Sequence, residues 1–272
     1  APVLEGWPEV VSINRTQVFS LPTDTGQRQL INYHGPSPLH VSVVGEQQLL
    51  IGSDQRPAQL FDVVSGTTTN LPVHGSGSAK RSSDWRWICG VEPKLGYTWL
   101  LDATNQTLPE RLSAHHAHAI TVATEYDRVF WSDGNALVSR RLVSTDAPRH
   151  HATFSRVPNF LELSHDQQLI AVGLSDREVH LWDWQQDQRS GPVLMHHGRL
   201  HALAFSQGGR TLMTLDDAGV LRFWNVKTAQ LMLEKPVQST LSGDITYARF
   251  SPNGRFLVLL YNRRHFVTLR LY

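Results

Sequence analysis

One short pattern recurs along the whole chain and restricts its architecture more than any other feature. An apolar run ends in Leu181-Trp182-Asp183, and another ends in Phe223-Trp224-Asn225, 42 residues later. Related strand ends stand at Leu60-Phe61-Asp62, Leu100-Leu101-Asp102, Ser139-Arg140-Arg141 and Leu269-Arg270-Leu271, with Val18-Phe19-Ser20 as a first member. The steps are about 40 to 46 residues, and a period of that size filled with short strands and turns indicates repeated small sheets, each packed on its neighbours.

The two clearest units run over residues 160–196 and 201–237. In the first, Phe160 to Ser164, Leu169 to Leu174, Glu178 to Trp184 and Pro192 to Met195 alternate or run apolar between polar turns, the pattern of short strands. The second repeats it with Ala202 to Phe205, Thr211 to Leu215, Val220 to Trp224 and Leu231 to Leu233. Four strands joined by tight turns make an antiparallel blade. The predicted fold is therefore all-β, a β-propeller of four-stranded antiparallel blades forming a single domain over residues 1–272. Seven units average about 39 residues, with six or eight blades also compatible because Trp-Asp is degenerate in most units.

Two regions depart from the pattern. Trp85 to Val91 and Tyr97 to Asp102 read as strands, yet the inner strand before them has to lie in residues 75–81, whose Gly-Ser chemistry is that of a turn. Either that blade has an irregular inner strand or the segment is a loop. At the other end, Phe266 to Tyr272 matches a third strand with no fourth after it. Pro2 to Glu5 either completes that last blade or opens the first.

The units resemble those of the WD-repeat β-propeller family. Phe250-Ser251-Pro252-Asn253-Gly254 and Phe205-Ser206-Gln207-Gly208-Gly209 are similar to its Phe-Ser element. Asp176 stands six residues before Trp182, and Asp217 seven before Trp224, as its turn aspartate does. The resemblance implies a structural hydrogen-bond network of His197, Thr214, Asp217 and Trp224, and another containing Ser175, Asp176 and Trp182. It also implies that His34, His74 and His116, which precede inner strands, serve the blades.

Composition narrows the function classes. Twenty-five Lys plus Arg against 24 Asp plus Glu leave a net charge of +1, so no global field draws in nucleic acid. Twenty-one of those cations are arginine, the side chain suited to bidentate contacts with carboxylates. Cys89 is the single cysteine and makes no internal disulfide. No apolar stretch nears the roughly 20 residues of a membrane helix. The chain opens on Ala1, as after signal removal or excision of a domain, so cytoplasmic and exported locations are both open.

Fourteen histidines, several in pairs, raise a metal site. The blade-stabilising role explains them without one, and no acidic cluster adds ligands. There is no His-Glu-x-x-His, Gly-x-Ser-x-Gly or cysteine pair, so neither catalytic residue nor cofactor is expected. Propellers place recognition on loops over a rigid scaffold. Arg56, Lys80, Arg81, Asp133, Arg177 and Arg263 are expected on the loops of one face, with Trp85 beside them as an aromatic anchor. The sequence thus points to a monomeric, non-catalytic scaffold that binds a protein or acidic peptide segment. The competing reading is a small-ligand- or metal-binding propeller, compatible with export, using a histidine-rich channel mouth; a lyase or hydrolase at that mouth is the third reading.

Overall fold

The computed structural model describes residues 11–14, 17–20, 29–31, 40–43, 48–52, 57–62, 64–74, 80–82, 86–92, 96–103, 109–113, 117–206, 208–237, 245–250, 256–261 and 265–270. Among them there is no α-helix. The chain divides into two compact units, residues 1–133 and 134–272.

In the first unit, β1 (Val11–Asn14), β2 (Gln17–Ser20) and β3 (Gln29–Ile31) form one antiparallel sheet in chain order. β4 (His40–Val43), β5 (Gln48–Gly52), β6 (Pro57–Asp62) and β7 (Thr68–His74) form the next. β8 (Lys80–Arg81), β9 (Trp87–Glu92), β10 (Tyr97–Asp102) and β11 (Glu110–Arg111) form a third. β12 (Ile120–Ala123) and β13 (Arg128–Asp133) pair across a 3-10 turn.

In the second unit, β14 (Ala136–Arg141) pairs with β15 (Arg149–Thr153). β16 (Pro158–Leu163), β17 (Leu169–Leu174), β18 (Glu178–Asp183) and β19 (Gln188–Arg189) follow in order, and β20 (Leu194–Met195) also joins β18. β21 (Leu200–Phe205), β22 (Thr211–Asp216), β23 (Val220–Asn225) and β24 (Leu231–Pro236) form a regular four-stranded sheet. β25 (Ile245–Phe250), β26 (Phe256–Tyr261) and β27 (His265–Arg270) form the last.

The recurring strand end has a local cause. Asp62 Oδ1 accepts from the amides of Val64 and Ser65, at 3.1 and 2.7 Å. Asp183 Oδ1 accepts from Gln185 and Gln186, at 3.1 and 3.0 Å. Asn225 Oδ1 accepts from Lys227 and Thr228, both at 3.0 Å. A short Asp or Asn side chain at the end of the third strand thus captures two amides that the turn strips from the ladder. A serine does similar work after the first strand. Ser164 Oγ accepts from Leu169 N at 2.9 Å, Ser206 Oγ from Thr211 N at 3.2 Å, and Ser82 Oγ from Trp87 N at 2.8 Å.

Ser82 also resolves the irregular unit. Its amide donates to the Trp87 carbonyl at 2.9 Å, as Ser164 and Ser206 donate to Leu169 and Thr211, at 2.9 and 2.8 Å. The inner strand is therefore present, cut to Lys80–Arg81, which pair with Cys89 and Ile88. These two cations were expected on a loop; the structure puts them on a strand, because the serine-closed turn fixes where the pairing ends. Pro2 to Glu5 lie outside the described residues.

Strands carry both unit cores. In the first, Leu50, Ala58, Leu71, Ile88, Trp99 and Leu101 cluster, and a Cβ on Gly90 would lie 2.5 Å from the Trp99 ring. In the second, Val179, Leu181, Leu194, Leu203, Phe205, Leu212 and Trp224 belong to one cluster. Gly173 lets the β17 backbone approach closely, since a Cβ there would sit 2.8 Å from Leu203 and 2.9 Å from Leu200. Burying such side chains is worth roughly 1.5–3 kcal/mol each, and that packing holds the turns at fixed positions.

Candidate functional site

Three connections of the second unit meet and are held by their own backbone: Ser175 to Arg177 between β17 and β18, His196 to Arg199 before β21, and Asp217 to Gly219 between β22 and β23. His196 N donates to the Arg177 carbonyl at 3.0 Å, and Asp217 N to the Arg199 carbonyl at 2.7 Å. Arg199 N returns a bond to Asp217 Oδ1 at 2.9 Å. Asp176 Oδ1 accepts from Arg177 N and Glu178 N, at 2.7 and 3.2 Å. Gly198 makes the approach possible, since a Cβ there would overlap the Asp217 carboxylate at 1.9 Å.

The arrangement separates the charges. The carboxylates of Asp176 and Asp217 serve backbone amides, whereas the side chains of Arg177 and Arg199 are exposed. Arg177 Nη1 makes one long bond to the His197 carbonyl, 3.3 Å. Among the described residues neither guanidinium pairs with a carboxylate. Arg199 carried no sequence signal beyond its residue type.

Beneath these loops lies a buried polar network. Trp224 Nε1 donates to Thr214 Oγ1 at 2.9 Å, and Thr214 Oγ1 is 2.7 Å from His196 Nε2. His196 Nδ1 is 3.1 Å from the Arg177 carbonyl, an acceptor only, so Nδ1 carries the proton and neutral Nε2 accepts from the Thr214 hydroxyl. Burial pushes the His196 imidazole below its ordinary 6.5, and the nearby Arg222 cation adds to this. The Arg177 carbonyl and Asp216 oppose it. Asp216 and Arg222, both buried, pair at 2.5 Å, and Arg222 Nε donates to Glu234 at 2.7 Å.

Two members of the expected network change. The histidine is His196, not His197: Leu194 points in, Met195 out, His196 in and His197 out, the two-residue alternation of an extended chain. The buried acid is Asp216, while Asp217 is exposed and closes the loop. Thr214 and Trp224 join His196 in that network. In the preceding sheet, Asp176 orders its own turn and the Ser175 amide donates to the Val157 carbonyl at 2.9 Å. Trp182 is not tied to them. The position matching Thr214 is Val172, and the buried Trp182 Nε1 has no hydrogen-bond partner among the described residues.

Of the other expected recognition residues, Asp133 closes β13 and is half-buried, and Lys80 is half-buried on β8. Arg56, Trp85 and Arg263 lie outside the described residues. No group of three or more His, Cys, Asp or Glu that could hold a metal ion occurs among the described residues. The Cys89 thiol is buried and pushed up to about 12, chiefly by desolvation, far from the range of a reactive thiolate. No helix among the described residues is long and apolar enough to cross a membrane.

One cluster imitates a hydrolase. His151 Nε2 is 2.7 Å from Ser139 Oγ, and His151 Nδ1 bonds Asp187. Ser139 is 0% exposed, so its oxygen has no approach for a substrate.

No family model matches the chain. Human apoptotic protease-activating factor 1 is 28% identical over 102 residues, 36% of this chain, and the rat protein 29% over 102 residues, 35% of this chain. Each match spans 8% of the relative's own length. Two solved structures share the fold. A chain in the crystal structure of the mitotic checkpoint complex is 14% identical, with a TM-score of 0.76, covering 96% of this chain and 86% of that one. The computationally designed Ika8 protein is 13% identical, with a TM-score of 0.70, covering 97% and 83%. The antiparallel sheets and these fold likenesses together make this an all-β propeller fold.

Proposed function

We propose that residues 1–272 form one non-catalytic, seven-bladed propeller domain that recognises a carboxylate-bearing protein segment through Arg177 and Arg199. The observation that carries this reading is the division of charge on the loops. Local acids are spent on backbone amides, and two exposed guanidiniums stand on turns braced from below. A braced loop loses little freedom on binding, which favours affinity, and arginine is among the residues that dominate binding hot spots. A fold likeness to a chain from a multi-protein assembly supports an interaction role, as does the partial likeness to apoptotic protease-activating factor 1.

The test is affinity capture from a lysate of the source organism with wild-type protein and an Arg177→Glu, Arg199→Glu double variant of unchanged thermal stability. A protein held by wild type and lost by the variant supports the reading, and capture of acidic peptides from a synthetic library in the same pattern identifies the segment. Equal retention of the same proteins by both forms overturns the role given to these arginines.

A further inference from the structure

Ser139, His151, Asp187 and Arg149 form a continuous side-chain chain that no role above uses. Ser139 is on β14, and Arg149 and His151 are on its partner β15. Asp187 lies outside that hairpin, in the turn between β18 and β19. The His151 side chain is 0% exposed, with Ser139 Oγ on its Nε2 side and the Asp187 carboxylate on its Nδ1 side. The second Asp187 oxygen pairs with Arg149 Nη2. The His151 ring packs edge-on against Trp184, with centroids 6.4 Å apart, and Trp184 Nε1 donates to the Gln167 carbonyl at 2.8 Å. The contacts to Asp187 and Trp184 thus lead from β14–β15 to the turn that follows strand β18.

The location explains why such a chain is present. Arg140, Trp182 and Trp224 recur at 42-residue steps. At Trp224 the indole is tied to Thr214 and His196; at Trp182 the hydroxyl is missing; at Arg140 the indole itself is missing. Both sheets that this chain joins lack the buried network seen at Trp224.

We propose that Ser139, His151, Asp187 and Arg149 are a clasp that makes β14–β15 and the β18–β19 turn open and close as one unit, in place of the buried indole network those sheets lack. Asp187 is the key group because it is the only member from the second sheet. Its φ is +51°, a left-handed conformation that asparagine and glycine tolerate. Replacement by either keeps the turn while changing the clasp. In Asp187→Asn, one neutral amide oxygen replaces two carboxylate oxygens, so Arg149 is satisfied without its counter-charge and His151 is satisfied only by moving its proton to Nε2, toward Ser139 Oγ. In Asp187→Gly neither is.

The experiment is hydrogen exchange of the full chain, read by mass spectrometry of peptides covering residues 149–153, 184–189 and 211–225. The expected result is faster exchange at residues 149–153 and 184–189 together, about tenfold in Asp187→Asn and more in Asp187→Gly, with residues 211–225 unchanged. Exchange accelerated at residues 184–189 alone would make Asp187 a turn residue and overturn the clasp, and so would unchanged exchange in both variants. Arg149→Gln, which leaves Asp187 in place, is expected to raise both segments by a smaller factor; acceleration of residues 149–153 alone would again overturn the coupling.

Discussion

Trp224 donates its indole N–H to the hydroxyl of Thr214, 2.9 Å away, in the interior of the β21–β24 sheet. That hydroxyl also meets His196, so one threonine satisfies two large buried rings. Thr214→Val keeps the volume and removes both bonds. The orphaned indole and imidazole are expected to cost about 1–3 kcal/mol. Urea unfolding should show a lower midpoint with an unchanged slope.

The neighbouring residues Asp216 and Asp217 provide a sharper contrast. Asp216→Ala leaves Arg222 with its charge buried and only Glu234 to oppose it, and is expected to destabilise by about 3–5 kcal/mol. Asp217→Ala loses one bond from the exposed Arg199 loop, for an expected cost of about 0.5–1.5 kcal/mol. Chemical denaturation of both variants measures the ratio. Equal costs would contradict the burial difference.

His196 sets a pH dependence whose sign follows from its environment. Its folded-state pKa lies below the ordinary 6.5, so below that pH the unfolded chain takes up the proton first. The stability contributed by neutral His196 is full above about pH 6.5 and declines as pH falls through the folded value. Melting temperatures from pH 8 to 5 should fall more steeply in wild type than in His196→Gln. An identical slope would assign the acid sensitivity to other groups.

Asp187 acts lower on the scale. Burial works to raise its carboxyl, but bonds from His151 and Arg149 hold it below the ordinary 3.8. Its contribution is present above pH 3.8 and is lost as pH falls through the depressed folded value. Asp187→Asn should abolish that part of the acid transition when unfolding is followed by circular dichroism.

Gly173 tests the close packing of the second unit. An added methyl would meet Leu203 and Leu200 inside 3 Å, and Gly173→Ala is expected to cost about 1–3 kcal/mol. Gly208→Ala, where nothing lies within 4 Å, is the matched control and should change the thermal midpoint little.

Strand order and most strand bounds were legible because they depend on local chemistry. Tyr97–Asp102, Arg128–Asp133 and Leu169–Leu174 begin and end where apolar alternation meets turn residues, and the Asp or Asn ending Phe61, Trp182 and Trp224 strands captures amides within three residues. The loop position of Arg177 was legible for the same reason. The short β8 strand was not, because Lys80-Arg81 has no apolar signature and only the Ser82 turn marks it.

What the amino-acid sequence determined by itself is thus the repeat, the antiparallel sheets and their turns, since each depends on contacts a few residues apart. Only the tertiary structure decided which of His196 and His197, or of Asp216 and Asp217, enters the interior. Adjacent residues in an extended chain face opposite ways, and the choice is made by partners 18 residues off in one case and six in the other. It likewise brought Asp187 to His151 across 36 residues, a pairing with no local period and therefore no trace in the sequence.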